Sequence, residues 1–170
     1  MTMMAEKPLL IDIGAGNIQL DGYTTIDVVD HFHPDHLAPI TSLPFADDTV
    51  DGARAAHVLE HLLPVTIAID PITLEVTYFN TRIVAMNEVW RVLKVGGKFE
   101  IEVPIFPYWT AIADPTHIGQ PFVPQSFWYF TKKDYADQRA LYGVKPWKMI
   151  AAERNTLGSI MAVVLEKVAE

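Results

Sequence analysis

The sequence predicts an α/β fold: a Rossmann-like, mostly parallel sheet with a C-terminal antiparallel hairpin, formed as a single domain over residues 1–170. Three observations support this fold class. Short apolar and β-rich runs recur along the chain, as expected for buried parallel strands. A segment with helical spacing lies between two of these runs, as in a βαβ unit. Two β-rich segments near the end of the chain flank a turn sequence.

Four strands of the sheet are predicted in chain order. Residues 8–14 are a short apolar run that ends in glycine, and residues 23–29 are a second β-rich run. Residues 50–57 follow the turn-like segment Ala46-Asp-Asp48 and form a third candidate. Residues 98–103 alternate apolar with charged side chains and stop at Pro104, which indicates a fourth strand.

The remaining elements are a helix, two hairpins and a loop. Residues 80–93 place apolar side chains three or four apart, with Asn80 as N-cap and Gly96-Gly97 to stop the helix. Residues 66–79 favour an inserted hairpin, although a helix with Asp70 as N-cap and Pro71 at its first position is an alternative. Residues 104–130 predict a long ordered loop with one short helix. Residues 147–154 and 159–168 flank Asn155-Thr-Leu-Gly158 and predict the terminal hairpin.

Composition excludes several functional classes. Thirteen basic and 21 acidic residues give a net charge of −8, which argues against broad nucleic-acid binding. The absence of cysteine excludes disulfides, thiolate zinc sites and cysteine nucleophiles, and it favours a cytoplasmic location. The longest apolar run, residues 160–165, is far shorter than the ~18 residues of a membrane span. The first residues lack the apolar stretch of a secretory signal, so no membrane association is expected.

A glycine turn follows the first strand at Asp12-Ile-Gly-Ala-Gly16. Glycine lets backbone N–H groups come close to a ligand, although a plain turn between strand and loop explains the same residues. Residues 14–22 are too few for a full crossover helix, since such crossovers take ~10–12 residues. Gln19 stands where a dinucleotide fingerprint has its third glycine, which argues against a nicotinamide-dependent oxidoreductase.

Five segments then follow one another in a specific order: Leu10-Ile-Asp-Ile-Gly-Ala-Gly16, Thr25-Ile-Asp27, Leu43-Pro-Phe-Ala-Asp-Asp-Thr-Val-Asp51, His57-Val-Leu-Glu-His61 and Glu88-Val-Trp-Arg-Val-Leu-Lys-Val-Gly-Gly97. Each is weak alone, but the order resembles class I S-adenosylmethionine (SAM) dependent methyltransferases. Asp114-Pro-Thr-His117, followed by Ser126-Phe-Trp-Tyr-Phe130, is similar to a small subgroup of that family with a shortened first crossover. The resemblance covers about residues 9–131.

The resemblance implies in-line methyl transfer from SAM to an acceptor that it does not identify: a small molecule, a sugar, a protein side chain or a nucleobase. It implies that Asp27 binds both ribose hydroxyls, that Val28 packs beside the adenine, and that His57 lines the methyl-donor region. It also implies a set of residues bordering the methionine end of SAM: Asp12, Gly14, Ala15 and Gly16. With no separate substrate domain, residues 66–79 and 104–130 or a second subunit would build the acceptor site. The short crossover leaves one sheet face poorly covered, which suggests a homo-oligomer.

The chain departs from the family pattern at two places. Ile18 replaces the third glycine, and residues 39–42 lack the acid that often holds the adenine amino group. These departures support an alternative, a non-catalytic scaffold or interaction protein that has lost tight SAM binding.

Histidines supply the other candidate sites. His117 is the predicted catalytic base, because the ordinary histidine pKa of ~6.5 suits proton removal near neutral pH. The competing interpretation of Asp114-Pro-Thr-His117 is a structural Asx turn. His57-Val-Leu-Glu-His61 matches the H-x-x-E-H zinc signature, but no later segment offers an obvious third ligand. The cluster of His31, His33 and His36 is expected to be a solvated loop, so no metal site is predicted. Aromatic residues of the long loop form either a lid over the donor or the loop's own core: Trp109, Phe122, Phe127, Trp128 and Tyr129.

Overall fold

The computed structural model describes residues 7–73 and 76–169. Within these ranges one sheet has seven strands in the order β3-β2-β1-β4-β7-β9-β8, and β5 pairs with β6 separately. The strands are β1 (Leu10–Ile13), β2 (Tyr23–Asp27), β3 (His36–Leu37), β4 (Val50–Ala56), β5 (Thr66–Ile69), β6 (Val76–Phe79), β7 (Leu93–Pro104), β8 (Trp147–Arg154) and β9 (Ile160–Lys167). The helices are α1 (Thr81–Val92), α2 (Trp128–Thr131) and α3 (Ala136–Leu141).

The sheet confirms the predicted fold class. Strands β3, β2, β1, β4 and β7 are parallel neighbours, so their carboxyl ends lie at one edge. Strand β9 pairs antiparallel with both β7 and β8, which gives the predicted terminal hairpin. Antiparallel β5 and β6 confirm the hairpin in residues 66–79, although residues 74–75 lie outside the described part.

Helix α1 confirms the predicted helix but ends earlier than Gly96-Gly97. The side chain of Asn80 accepts the N–H of Ile83 at 3.2 Å and caps its first turn, as predicted. The helix ends at Val92, and β7 starts at the next residue. Strand β7 therefore runs through the two glycines, which corrects the prediction that the strand begins at residue 98. The register shifts at this point, because Val50 pairs with Leu93 and Gly52 with Lys98.

The two faces of the sheet differ in cover. Phe99, Ile101 and Val103 of β7 are buried in the core with Met86 and other residues of α1. Lys98 and Glu100 on the opposite face are exposed. The first crossover forms turns without a helix, as its length predicts. The sheet is therefore open on the face that a crossover helix would cover.

The long loop contributes aromatic side chains to the same hydrophobic core as the sheet and α1. Phe122 and Phe127 are buried and stack with ring centroids 5.6 Å apart, and Tyr129 packs against the same core. Trp109 is 72% exposed and Trp128 is 36% exposed. The buried aromatic side chains therefore anchor the loop to the main core, which corrects the expectation that the loop has a core of its own. The loop contains short 3₁₀ turns and, at its end, the short helix α2; helix α3 follows the loop and was not predicted.

Candidate functional site

A cavity of about 510 Å³ opens at the carboxyl ends of β1, β2 and β4. Parallel sheets of this kind bind ligands at this edge. Most of its wall is apolar, and the polar groups in it are few: Asp27, Thr41, His57, His61 and Thr81. A mostly apolar cavity with few polar groups is typical of small-molecule sites.

The glycine turn forms one wall of the cavity through Gly14 and Gly16. Both have positive φ angles, +69° and +54°, which glycine adopts without steric cost. A Cβ on Gly14 would lie 2.4 Å from Cγ2 of Val58, so this position also needs glycine for space. The backbone N–H groups of Gly14 and Ala15 both donate to the carbonyl of Ile26. Both N–H groups therefore already donate to the protein itself and are not free to bind a ligand.

Asp27 joins the end of β2 to the glycine turn. Its Oδ2 accepts the N–H of Gly16 at 2.9 Å, and its Oδ1 accepts the N–H of Val29 at 2.9 Å. The residue is only 7% exposed and lines the cavity. A carboxylate has about four acceptor positions, so each oxygen keeps capacity for a ligand hydroxyl.

Two of the predicted donor-binding residues lie behind the cavity wall. Asp12 is 1% exposed, and its Oδ1 accepts a hydrogen bond from Arg54 at 3.1 Å. Burial raises the pKa of Asp12, and the charge of Arg54 opposes this shift. Ala15 is buried as well. Neither lines the cavity, whereas Gly14, Gly16, Asp27, Val28 and His57 do.

His57 stands where β4 leaves the sheet, with a positive φ of 56°. Its Nδ1 donates to Oε1 of Glu60 at 3.1 Å, and this hydrogen bond raises the pKa of His57. Glu60 belongs to a 3₁₀ turn, Leu59–His61, and is buried. Neither Glu60 nor His61 was predicted as a site residue, although the H-x-x-E-H motif contains both.

A second cavity of about 330 Å³ adjoins the first, and His57 and His61 line both. His117 and Asp114 form its far side. The Asx turn is present, because Oδ1 of Asp114 accepts the N–H and the hydroxyl of Thr116. Oδ2 of Asp114 lies 3.8 Å from Nε2 of His117, so the same carboxylate also faces the predicted base. These bonds from Thr116 lower the pKa of Asp114.

The other histidine cluster is only partly a loop. His33 ends a 3₁₀ turn over Asp30–Phe32 and is exposed, as is His31. His36 begins β3, and its ring packs edge-on against Phe45 at 5.2 Å. His36 thus has a packing role.

Solved structures of known proteins share this architecture, whereas sequence comparisons find no match. No family model matches the chain, and no curated protein sequence matches it. Among solved structures, a chain of the complex between the Haloferax volcanii Trm112 methyltransferase activator and a methyltransferase is similar with a TM-score of 0.62 and 10% identity. That match covers 99% of this chain and 85% of the other.

Two further solved structures have the same architecture. The 16S rRNA (adenine(1408)-N(1))-methyltransferase W203A mutant from Catenulisporales acidiphilia has a TM-score of 0.59 and 11% identity, covering 96% of this chain and 86% of that one. Geranyl diphosphate C-methyltransferase from Streptomyces coelicolor, in complex with S-adenosyl-L-homocysteine, has a TM-score of 0.58 and 10% identity, covering 95% and 71%. At these identities the similarity shows the fold. The chain has the Rossmann-like α/β fold of SAM-dependent methyltransferases.

No helix in the described ranges has the length and the apolar character of a membrane span.

Proposed function

We propose that this protein transfers a methyl group from SAM to an acceptor. The observation that carries the proposal is the first cavity, which brings Gly14, Gly16, Asp27, Val28 and His57 together at the carboxyl edge of the sheet. These residues lie at or just after the ends of three neighbouring strands, and the resemblance to the methyltransferase family implies that each of them binds the donor. Solved structures with this fold include one with cosubstrate SAM and one with S-adenosyl-L-homocysteine.

The cavity wall suggests an orientation for the donor. Asp27 would accept the ribose hydroxyls with the acceptor positions that Gly16 and Val29 leave free. The adenine would pack on Val28 and Ile40, and the methionine end would lie between Gly14 and His57. We assign Asp12 and Ala15 to holding the turn from behind, since neither lines the cavity.

The adjoining cavity is the proposed acceptor site, for a small molecule or a protein side chain. The acceptor atom attacks the sulfonium methyl, the S–CH₃ bond breaks, and its electron pair stays on sulfur. Holding donor and acceptor in line supplies most of the catalysis. His117 is the proposed base, and its Nε2 would take the proton, because Nδ1 is buried in the protein.

The long loop forms part of the wall of the proposed acceptor cavity. The loop residues that line this cavity lie within residues 104–117. We propose that the chain belongs to the methyltransferase subgroup with a shortened first crossover and the Asp114-Pro-Thr-His117 motif. We also propose that the chain forms a homo-oligomer through its open sheet face. Calorimetry and light scattering on the same sample would address binding and oligomeric state together.

The test is a calorimetric titration with S-adenosyl-L-homocysteine in buffer containing EDTA. We expect a dissociation constant of micromolar order, which corresponds to roughly −8 kcal/mol. Asp27→Ala should weaken binding by at least ~10-fold with the fold intact by circular dichroism. Asp21→Ala, which removes an exposed carboxylate from the first crossover, is the matched control and should bind as the wild type does.

One observation favours a second candidate, a non-catalytic scaffold. Pro39, Ile40 and Thr41 line the donor cavity in the stretch where the family often has an acid for the adenine amino group. A scaffold of this kind would give no heat with S-adenosyl-L-homocysteine at high micromolar concentration while remaining folded. It would keep a protein partner, and one structural neighbour is part of a complex with an activator protein.

A further inference from the structure

Three side chains with metal-ligating atoms meet beside the two cavities. Glu60 and His61 come from the 3₁₀ turn after β4, and His117 comes from the long loop after β7. Each offers one ligand atom, and these atoms lie within 4.8 Å of one another. The rings of His61 and His117 meet edge to face with centroids 4.8 Å apart.

Two of these side chains have buried polar atoms that lack a partner. Oε2 of Glu60 and Nδ1 of His117 are both inaccessible to solvent and make no hydrogen bond in the structure. Glu60 as a residue is only 4% exposed. Leaving a buried carboxylate oxygen unpaired costs free energy, and the cost is larger for a charged group. A cation between the two atoms would remove this cost for both.

A hydrogen bond already orients the opposite atom of Glu60 and of His61, and a carboxylate faces the opposite atom of His117. Oε1 of Glu60 accepts from Nδ1 of His57, and Nδ1 of His61 lies 3.1 Å from the carbonyl oxygen of Thr116. Nε2 of His117 faces Oδ2 of Asp114 at 3.8 Å. Histidine ligands of metals usually donate their other N–H to a carbonyl or a carboxylate, and this fixes the ring for the ion. The contacts leave one atom of each residue for an ion: Oε2 of Glu60, Nε2 of His61 and Nδ1 of His117.

We propose that Glu60, His61 and His117 bind one divalent first-row transition-metal ion, with Zn²⁺ as the ion that the donor set fits best. Two imidazoles and one carboxylate suit Zn²⁺, and this set leaves a coordination position open for water. Ligand atoms about 2.1 Å from a tetrahedral ion lie roughly 3.4 Å apart. The most distant pair would close by up to about 1.4 Å, which side-chain rotations supply. The buried carboxylate balances half of the charge of the ion.

The location gives the ion access to both cavities. His61 lines the donor cavity and the acceptor cavity, and His117 lines the acceptor cavity. An ion on Nδ1 of His117 keeps the proton on Nε2, so His117 can act as a base only in the metal-free protein. The metal site does not rest on the proposed methyl transfer, and it is testable without donor or acceptor.

The experiment titrates ZnCl₂ into protein that has been treated with EDTA and dialysed into metal-free buffer. Calorimetry should give one ion per chain with a micromolar or tighter dissociation constant. A hundredfold excess of Mg²⁺ should not displace Zn²⁺, because Mg²⁺ prefers oxygen ligands. Co²⁺ in the same site should show the strong visible bands of a four- or five-coordinate ion. Absence of binding to the wild type, or the weak bands of octahedral aqueous Co²⁺, would overturn the proposal.

Single substitutions test which residues bind the ion. His117→Ala and Glu60→Gln should each weaken Zn²⁺ binding by at least ~100-fold, because each removes one of three ligands. His33→Ala changes an exposed histidine in the cluster near β3 and should leave the affinity unchanged. Unchanged affinity in His117→Ala, or a loss in His33→Ala, would place the ion elsewhere and refute this site. Should a ligand variant fail to fold, the variant at the other ligand locates the ion, and the Co²⁺ spectrum of the wild type still tests the coordination number.

Discussion

Oδ2 of Asp27 accepts the backbone N–H of Gly16 at 2.9 Å, and this hydrogen bond joins the end of β2 to the glycine turn after β1. The same carboxylate accepts the N–H of Val29 through Oδ1. Asp27 therefore shapes the wall of the cavity before any ligand arrives. In the proposed function, this one side chain would both build the donor site and offer its remaining acceptor capacity to the donor.

Asp27→Asn tests this double role. Asparagine offers one carbonyl oxygen, so either Gly16 or Val29 must face an NH₂ group. We expect a loss of about 1–2 kcal/mol in the free energy of unfolding and at least ~10-fold weaker binding of S-adenosyl-L-homocysteine. Urea unfolding and calorimetry measure the two effects. Asp21→Asn is the control, and wild-type values in Asp27→Asn would contradict the assignment.

Gly14→Ala tests the close contact with Val58. The new Cβ would lie 2.4 Å from Cγ2 of Val58, at a φ of +69° that alanine avoids. Gly143→Ala has a similar φ of +63° and open space around it, so it measures the backbone strain alone, about 1–2 kcal/mol. Gly14→Ala should cost more than this control in urea unfolding.

The double variant Gly14→Ala/Val58→Ala separates the collision from the strain. Removing Cγ2 of Val58 should remove the collision and recover the stability that Gly14→Ala loses beyond the control. The double variant should therefore lose less free energy of unfolding than the sum of the two single variants. Additive losses would show that Val58 moves aside without cost.

Asp35→Asn tests the acid stability of the β2–β3 connection. Hydrogen bonds from the backbone amide and then the hydroxyl of Thr25 lower the pKa of Asp35 below its ordinary value of 3.8. With a folded-state pKa below the unfolded one, the carboxylate contributes stability above the unfolded pKa and loses it as pH falls through the folded pKa. The wild type should therefore lose this contribution between about pH 5 and pH 2.

The comparison is made by urea unfolding at several pH values. Asp35→Asn should be less stable than the wild type at neutral pH by up to about 1 kcal/mol, since the site is exposed. The difference should shrink at acid pH. A difference that stays constant with pH would show that the Asp35 carboxylate is not responsible.

Gly119→Ala tests how the long loop docks on the 3₁₀ turn after β4. The N–H of Gly119 donates to the carbonyl of Glu60 at 3.3 Å. An added Cβ would lie 2.9 Å from the carbonyl oxygen of Leu62 and 2.6 Å from Nη2 of Arg82. The guanidinium of Arg82 also donates a hydrogen bond to the carbonyl of Gln120 and lies 4.0 Å from the centre of the Phe122 ring. These contacts restrict its movement.

Hydrogen–deuterium exchange over residues 114–120 measures the effect. We expect exchange at least ~5-fold faster in Gly119→Ala, which corresponds to about 1 kcal/mol of local opening. Ile118→Ala changes an exposed neighbour in the same loop and should exchange as the wild type does. Equal exchange in both variants would show that the contact with Leu62 and Arg82 does not hold the loop.

Local signals in the sequence predicted most of the sheet. The β-rich segment at residues 147–154 became β8 with the same bounds, because a hairpin is specified by its own turn and alternation. The end of α1 was predicted less well. Glycine was expected to stop the helix, but pairing of Leu93 with Val50 draws the chain into β7 before Gly96. Strand pairing depends on residues distant in the chain, which helix-stop signals do not include.

The position of the first cavity was largely predictable, whereas the composition of the second cavity was not. By itself the sequence determined the inner parallel strands β1, β2 and β4, the glycine turn and Asp27 at the end of β2, since each is encoded within a few neighbouring residues. Only the tertiary structure decided that Asp12 lies under Arg54 and that His117 reaches Glu60 and His61. His117 is distant in sequence from Glu60 and His61, and no local sequence pattern relates residues that are so far apart. Its position follows from the packing of the long loop against the turn after β4, through bonds such as that between His61 and Thr116.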